Sequence, residues 1–122
     1  MLESLISRIG SERGERQILD IEKNITSLKA LVKKYKEVAN FKVGDVVQWK
    51  QGLKNKKRPQ YNEPCIVIEV LIDPIYDKEA PIASPYYNEK LDLKPGILNN
   101  DGDFLTFHYD KNRFEVKNQT AQ

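Results

Sequence analysis

Two different spacings of apolar residues divide the chain near residue 40. Between residues 18 and 35, apolar or aromatic side chains recur at alternating intervals of three and four, the heptad pattern of an amphipathic helix. This heptad stripe consists of Ile18, Ile21, Ile25, Leu28, Val32 and Tyr35. From Phe41 onward, short runs of β-branched and aromatic residues alternate with turn-forming Gly, Asp and Asn. The patterns predict an α+β chain with a helical arm over 1–40, a β domain over 41–117 and a disordered tail over 118–122.

The helical arm contains a second, shorter apolar pattern near its start. Its spacing predicts a brief first helix that ends at Gly10, with Ser11 as the N-cap of the longer helix. The apolar residues of this first pattern are Leu2, Leu5, Ile6 and Ile9.

Charges beside the heptad stripe favour one orientation of a helix pair. With Ile18 at position a and Ile21 at d, the g positions carry no charge, so a parallel pair gains no ion pair between g and e′. An antiparallel homodimer instead opposes e with e′ in acid–base pairs. The e positions are Glu15, Glu22, Lys29 and Lys36. We therefore expect an antiparallel dimer through residues 15–38, and burial of the stripe against the chain's own β domain is the alternative.

The β domain shows the signals of five strands. Gly44-Asp45 predicts a turn into a first strand, and the apolar run at residues 65–71 predicts a central strand. Asp101-Gly102, between two strand-like runs, predicts a hairpin. The polar residues 110–113 predict one helical turn, and residues 114–116 a final short strand.

The layout of residues 41–117 resembles the SH3-like small β-barrel. That resemblance implies a five-stranded barrel in which a single turn of 3₁₀ helix separates the last two strands. Residues 41–47 and 66–76 also resemble, in their order, segments of the HspQ-like hemimethylated-DNA-binding barrels. A charged loop here replaces the tight Gly-containing turn of that family, and the ending differs.

The first long loop is strongly basic. Its residues 50–58, here called the basic loop, contain five positive charges and no negative one. Such a patch can bind the phosphates of a nucleic acid, and Trp49 or Tyr61 beside it could stack on bases. The predicted nucleic-acid contacts are Lys50, Lys54, Lys56, Lys57 and Arg58. The net charge of the chain is only +2, which by itself is too small to indicate nucleic acid.

The second long loop, expected over residues 73–92, is rich in aromatic and apolar residues. Aromatic side chains of this kind often anchor protein interfaces. The predicted partner-binding residues are Trp49, Tyr61, Tyr76, Tyr86 and Tyr87. We expect this loop to cover the β domain or to present a surface to another protein.

Residue types that carry catalysis or bind metals are scarce. His108 and Cys65 are the single histidine and the single cysteine, so no internal disulfide can form and no His/Cys spacing for zinc is present. Asp101 and Asp103 flank Gly102 and are expected to be turn formers. We therefore predict no enzyme activity, no cofactor and no metal.

No export signal and no apolar run long enough to span a membrane is present in the sequence, so a cytoplasmic protein is expected. These features favour a non-catalytic adaptor or accessory subunit that self-associates through its helix and binds a protein partner through loops of the β domain. A nucleic-acid-binding accessory protein that uses the basic loop is the alternative.

Overall fold

The computed structural model describes the backbone of residues 2–117 and the side chains of residues 18–117. Its contacts divide the chain between Lys34 and Tyr35 into two compact units, the second of which is here called the sheet domain. The elements are α1 (Leu2–Lys36), β1 (Val46–Trp49), β2 (Cys65–Asp77), β3 (Glu89–Leu98), β4 (Phe104–Thr106), a 3₁₀ turn (Lys111–Arg113) and β5 (Phe114–Val116). The predicted tail lies outside the described residues. The chain is thus α+β, with one helix and five strands in its described part.

The helix α1 is continuous, so the predicted break at Gly10 is wrong. It runs through Gly10 and Gly14, and Ser11 lies inside the helix instead of capping a second one. Each interior glycine costs about 1 kcal/mol relative to alanine. Helix propagation is cooperative, so good helix formers on both sides carry the helix across such a position. The side chains of the first apolar pattern, and that of Glu15, lie outside the described residues.

The five strands form one antiparallel sheet in the order β4-β3-β2-β1-β5. This sheet is not closed into a barrel, which corrects the expectation of closure. β4 and β5 are its two edges, and each contains only three residues. Strands this short offer few backbone groups for a closing ladder.

Strands β2 and β3 are longer than the sequence pattern predicted. β2 continues to Asp77 and β3 begins at Glu89, so the loop between them covers residues 78–88 instead of 73–92. Pro74 and Pro95 make this region resemble a loop in sequence. Pro74 nevertheless lies within β2, where the register with β3 shifts between Val70 and Ile75. A bulge accommodates a proline because the ladder is already interrupted there.

Pro95 limits the ladder between β3 and β4. The backbone N–H of Phe107 donates to Pro95 O (3.2 Å), but proline has no N–H to complete the pair. The β4 ladder therefore ends at Thr106, and beyond the gap only an isolated bridge joins Leu93 to Tyr109. One imino acid thus keeps β4 short.

The turns that the sequence predicted are present. Gly44 has φ +96° in the turn before β1, where Asp45 Oδ2 accepts a hydrogen bond from the backbone N–H of Lys42 (2.8 Å). Gly102 has φ +83° in the β3–β4 hairpin, whose loop is closed by Asn99. Positive φ is available to glycine without steric cost, which explains why these turns were recognisable.

The core of the sheet domain lies on one face of the sheet, here called the inner face. Trp49 is only 2% exposed and stacks on Phe114 with ring centroids 4.3 Å apart. The buried cluster consists of Phe41, Val47, Trp49, Cys65, Val67, Leu93, Ile97, Tyr109 and Phe114. Trp49 is therefore a core residue, not the exposed partner-binding residue that the sequence suggested.

Candidate functional site

The opposite face of the sheet, here called the outer face, contains an apolar groove. Because side chains alternate along a strand, β2 buries Cys65 and Val67 and directs Ile66 and Ile68 to the outer face, where both are exposed. The groove has a volume of about 420 Å³. The residues lining it include Val46, Pro64, Ile66, Gly96, Leu98 and Phe104. An apolar hollow of this kind is the usual starting hypothesis for a binding site.

Gly96 forms the floor of the groove beneath the ring of Phe104. A Cβ atom at residue 96 would lie 2.1 Å from Phe104 Cζ, so any other residue would displace the ring. Leu98 of β3 and Phe104 of β4 pair with each other, and both side chains remain exposed. The absent side chain of Gly96 thus allows Phe104 to lie flat across β3 and to form a wall of the groove.

The edge strand β4 lies directly beside this groove, and its outer side is open. The backbone groups of Phe107 and Tyr109 bond to Pro95 and Leu93 of β3, and the backbone of Asp103 bonds to Asn99 directly after β3. Because these groups alternate along an antiparallel strand, those of Phe104 and Thr106 point away from β3. All three residues of β4 are exposed.

A polar hollow of about 500 Å³ adjoins the groove, and Glu63 borders both. Arg58 Nη2 lies 3.6 Å from Glu63 Oε2 and donates to Leu98 O (3.2 Å), which connects the basic loop to the end of β3. Tyr61, one of the predicted partner-binding residues, lines this hollow and is partly exposed.

The basic loop is largely engaged with its own domain. Lys56 forms an ion pair with Glu89 (2.8 Å) and lies over the ring of Tyr109. Lys50 is buried and donates to Glu37 O (2.6 Å), and Lys54 lies over the ring of Tyr61. Arg58 lies beside Glu63, so carboxylates offset two of the five positive charges of the loop.

Of the five predicted nucleic-acid contacts, Lys57 is the one exposed residue, and the nucleic-acid function stays a prediction.

The predicted aromatic residues differ in their surroundings. Tyr86 donates its hydroxyl to Asn55 O (2.7 Å), so it packs the 78–88 loop onto the basic loop. Tyr76 and Tyr87 are exposed, and Tyr76 belongs to β2 and not to a loop. Their partner binding stays a prediction, whereas the groove was missed. The continuous apolar run of β2 was the available signal, because it makes both faces of the strand apolar.

A buried network of charges connects β3 with the 3₁₀ turn. Lys90 Nζ lies 3.2 Å from Asp92 Oδ2 and 3.5 Å from Asp110 Oδ1, and it donates to Asn112 Oδ1 (2.9 Å). The backbone N–H of Lys111 donates to Asp92 Oδ1 (2.8 Å). Both carboxylates are almost fully buried and have partners on each oxygen, which is the arrangement of a structural network.

Tyr35, the last residue of the heptad stripe, joins this network. Its hydroxyl donates to Asp110 Oδ2, and its backbone carbonyl accepts from Asn112 Nδ2 (3.0 Å). Burial, together with the hydrogen bond to Asp110, raises the pKa of Tyr35 to about 12. The structure therefore gives Tyr35 contacts within the sheet domain, whereas the sequence pattern placed it in a helix seam.

Cys65 is buried in the core of the sheet domain. Burial raises the pKa of its thiol to about 12, so the reactive thiolate is disfavoured. Among the described residues, no three His, Cys, Asp or Glu side chains are grouped so that they could hold a metal ion.

No helix in the described part of the chain combines the length and the apolar character that crossing a bilayer requires.

Comparisons with protein-family models, with curated proteins and with solved structures give no match. The class of the chain is therefore defined by its own architecture, a long helix and a five-stranded antiparallel sheet with an apolar groove on its outer face.

Proposed function

We propose that this chain is a non-catalytic protein-interaction module that self-associates through α1 and binds a partner protein through the sheet domain. The observation that carries the proposal is the exposure of the heptad stripe. Its five residues from Ile18 to Val32 are 45–60% exposed on a helix of 35 residues. Burying a large aliphatic side chain contributes about 1.5–3 kcal/mol, so a second helix along this stripe would be strongly stabilising.

The charges beside the stripe favour a second copy of the same helix in antiparallel orientation. Glu22 and Lys29 are both exposed e-position residues, and the antiparallel register opposes Glu22 with Lys29 of the second copy. Exposed ion pairs contribute only about 0.2–1 kcal/mol each. They would therefore select the orientation, while the apolar stripe supplies the stability.

We propose that the sheet domain has the strand arrangement of the SH3-like small barrels, in a form whose sheet is not closed. The order of the strands and the 3₁₀ turn directly before β5 support this assignment. Small β domains of this kind expose apolar sheet faces and edges that bind other chains. The groove is accordingly the surface that we propose for the partner.

Charge reversal tests the helix pair. We expect Lys29→Glu to weaken self-association in sedimentation velocity measurements, because the new carboxylate would oppose Glu22 of the second copy. The double variant Glu22→Lys/Lys29→Glu should restore it. Lys33→Glu is the matched control, because it changes the net charge equally at an exposed b position outside the e and g set. A wild-type protein that stays monomeric well above micromolar concentration would refute the proposal.

A further inference from the structure

The open edge of β4 and the apolar groove beside it form one continuous surface of the sheet domain. We infer that this surface binds its partner by strand addition: an extended peptide segment pairs with β4, lays an apolar side chain beside Phe104 and places a flanking Lys or Arg near Asp101 and Asp103. The inference rests on the proposed function and specifies the chemistry of its partner.

The backbone of β4 supplies the hydrogen bonds for such an addition. The N–H and C=O groups of Phe104 and Thr106 point away from β3, and none has a partner among the described residues. Tyr109, whose N–H and C=O both bond to Leu93, continues the same alternation, so the backbone groups of His108 also face outward. An added strand would therefore find donors and acceptors at every second residue.

The sequence of β4 contains no charged residue, proline or bulge that would protect a sheet edge. Natural edge strands are commonly blocked by a charged residue, a proline or a bulge. β4 reads Phe-Leu-Thr, and its register with β3 is regular from Phe104 to Thr106. Its short length remains as protection, and it matches a short extended segment better than a second full strand.

The groove selects the side chains of the added strand. Residues paired with Phe104 and Thr106 would project onto the outer face at about 4.8 Å from β4. An apolar side chain there would extend the wall that Phe104 and Leu98 form above Gly96. The position between them would project to the other face of the sheet edge, beside Leu105, so apolar and small polar residues should alternate.

The charges at one end of β4 favour a basic residue in the peptide. Asp101 and Asp103 are exposed in the hairpin loop, and neither carboxylate has a hydrogen bond or an ion pair within the described residues. Glu63, in the lining of the groove, adds a third carboxylate, which Arg58 offsets. The unbalanced charge beside β4 is therefore negative, which favours a basic residue next to the apolar one.

The test uses the full chain and synthetic peptides. The probe is the capped peptide Lys-Val-Thr-Val-Lys, which presents a lysine near Asp103 in either strand direction. Its controls are Glu-Val-Thr-Val-Glu, Lys-Ser-Thr-Ser-Lys and a form of the probe that is N-methylated at both Val residues and at Thr, which removes N–H groups that would face β4 in either strand direction. We expect binding of the first peptide alone, measured by fluorescence anisotropy, and slower amide exchange at Phe104 and Thr106 when it is bound.

Variants of the chain locate the binding surface. Thr106→Pro removes an outward N–H without touching the β3 ladder, and Thr106→Val keeps that N–H. Leu98→Asp places a charge in the groove, and Ile72→Asp makes the same change at a residue that is 95% exposed elsewhere on β2. Thr106→Pro and Leu98→Asp should weaken binding by roughly tenfold or more, whereas the two controls should leave it unchanged.

Each other outcome overturns the inference. Binding that Thr106→Pro and Leu98→Asp leave intact would place the peptide elsewhere, and equal binding of the acidic peptide would remove the charge argument. Protection of the β4 amides without peptide would show that the edge is already occupied. Protection that rises with protein concentration would indicate a second copy, and protection that does not would indicate another segment of the same chain. No binding by any peptide, with self-association and its charge-reversal response intact, would refute the inference while leaving the helix pair standing.

Discussion

The heptad stripe and the core of the sheet domain contain the same kinds of side chain but differ in their exposure to water. From Ile18 to Val32, the stripe residues are 45–60% exposed, whereas the core cluster is 0–8% exposed. The sheet residues bury one another because β1, β2, β3 and β5 bring them onto one face. A single helix cannot bury its own apolar stripe, so these side chains can be buried only by contact with another element.

This difference teaches where each half of the molecule obtains its stability. The sheet domain has its own hydrophobic core, which is the main requirement for independent folding. An amphipathic helix in water gains most of its stability from packing of its apolar face. Changes in the core should therefore unfold the sheet domain, and changes in the stripe from Ile18 to Val32 should alter only association.

The largest effect should come from the centre of the core. Phe114 is fully buried against the rings of Trp49 and Tyr109, so Phe114→Ala should lower the free energy of unfolding by about 3–5 kcal/mol, as large-to-small core changes do. Val116→Ala, at an exposed residue of the same strand, is the control and should cost much less. Urea unfolding measures both, and equal losses would contradict the position of the core.

The buried charge network should give the next largest effect. Lys90→Met removes the cation that Asp92 and Asp110 share and leaves two buried carboxylates with fewer partners. We expect a loss of about 2 kcal/mol, below the usual cost of breaking a buried pair because Lys90 is partly exposed. Lys94→Met, on the same strand, is the control. A stabilised Lys90→Met variant would show that the network opposes folding.

The hydrogen bond of Tyr35 connects the two regions that are compared. Tyr35 follows the heptad spacing of the stripe, but its contacts lie in the sheet domain. Tyr35→Phe should cost about 1–2 kcal/mol at neutral pH, since Asp110 loses a donor. The pKa of Tyr35 is raised, so its contribution is fully present below about pH 10, the range of an unfolded tyrosine, and is lost as pH rises toward about 12.

The variant should therefore show a shallower alkaline loss of stability, which unfolding experiments across this range would measure. Burial also raises the pKa of Tyr109 to about 12. Tyr109 therefore loses its proton over the same pH range, so part of the alkaline loss of stability should remain in the variant. An unchanged alkaline slope would contradict the contact of Tyr35 with Asp110.

The smallest effect on the sheet domain should come from the stripe itself. Leu28→Asp should change the unfolding of the sheet domain by less than about 0.5 kcal/mol, as exposed substitutions do. The same variant should abolish self-association in light scattering. Loss of sheet stability in Leu28→Asp would break the separation of the two regions.

Local signals predicted much of the fold. The heptad spacing indicated the helix, Asp101-Gly102 the hairpin, and Gly44 the turn into β1, because each depends on a few adjacent residues. The missed features depend on distant ones. The ends of β2 and β3 were missed because Pro74 and Pro95 usually interrupt strands, and only the pairing partner shows that a bulge or a gap accommodates them.

The candidate surface was hidden from sequence for the same reason. The groove combines Val46, Ile66 and Leu98 from three different strands, which only the sheet order brings together. The basic loop is prominent in sequence, but two of its five charges are paired with carboxylates that lie outside it. Lys56 pairs with Glu89, which is distant in sequence, and Arg58 pairs with Glu63, which follows a turn. Composition alone could not show either arrangement.

The position of the single tryptophan has a practical consequence for studying this molecule. Trp49 contacts the rings of both Phe114 and Tyr109, and its indole N–H donates to Pro59 O (2.6 Å). Its fluorescence therefore originates entirely within the sheet domain and should change when that core opens. Far-ultraviolet circular dichroism is dominated by the helix. The two spectroscopic signals thus separate the halves of the chain without any label, so domain unfolding and helix melting can be followed in one sample.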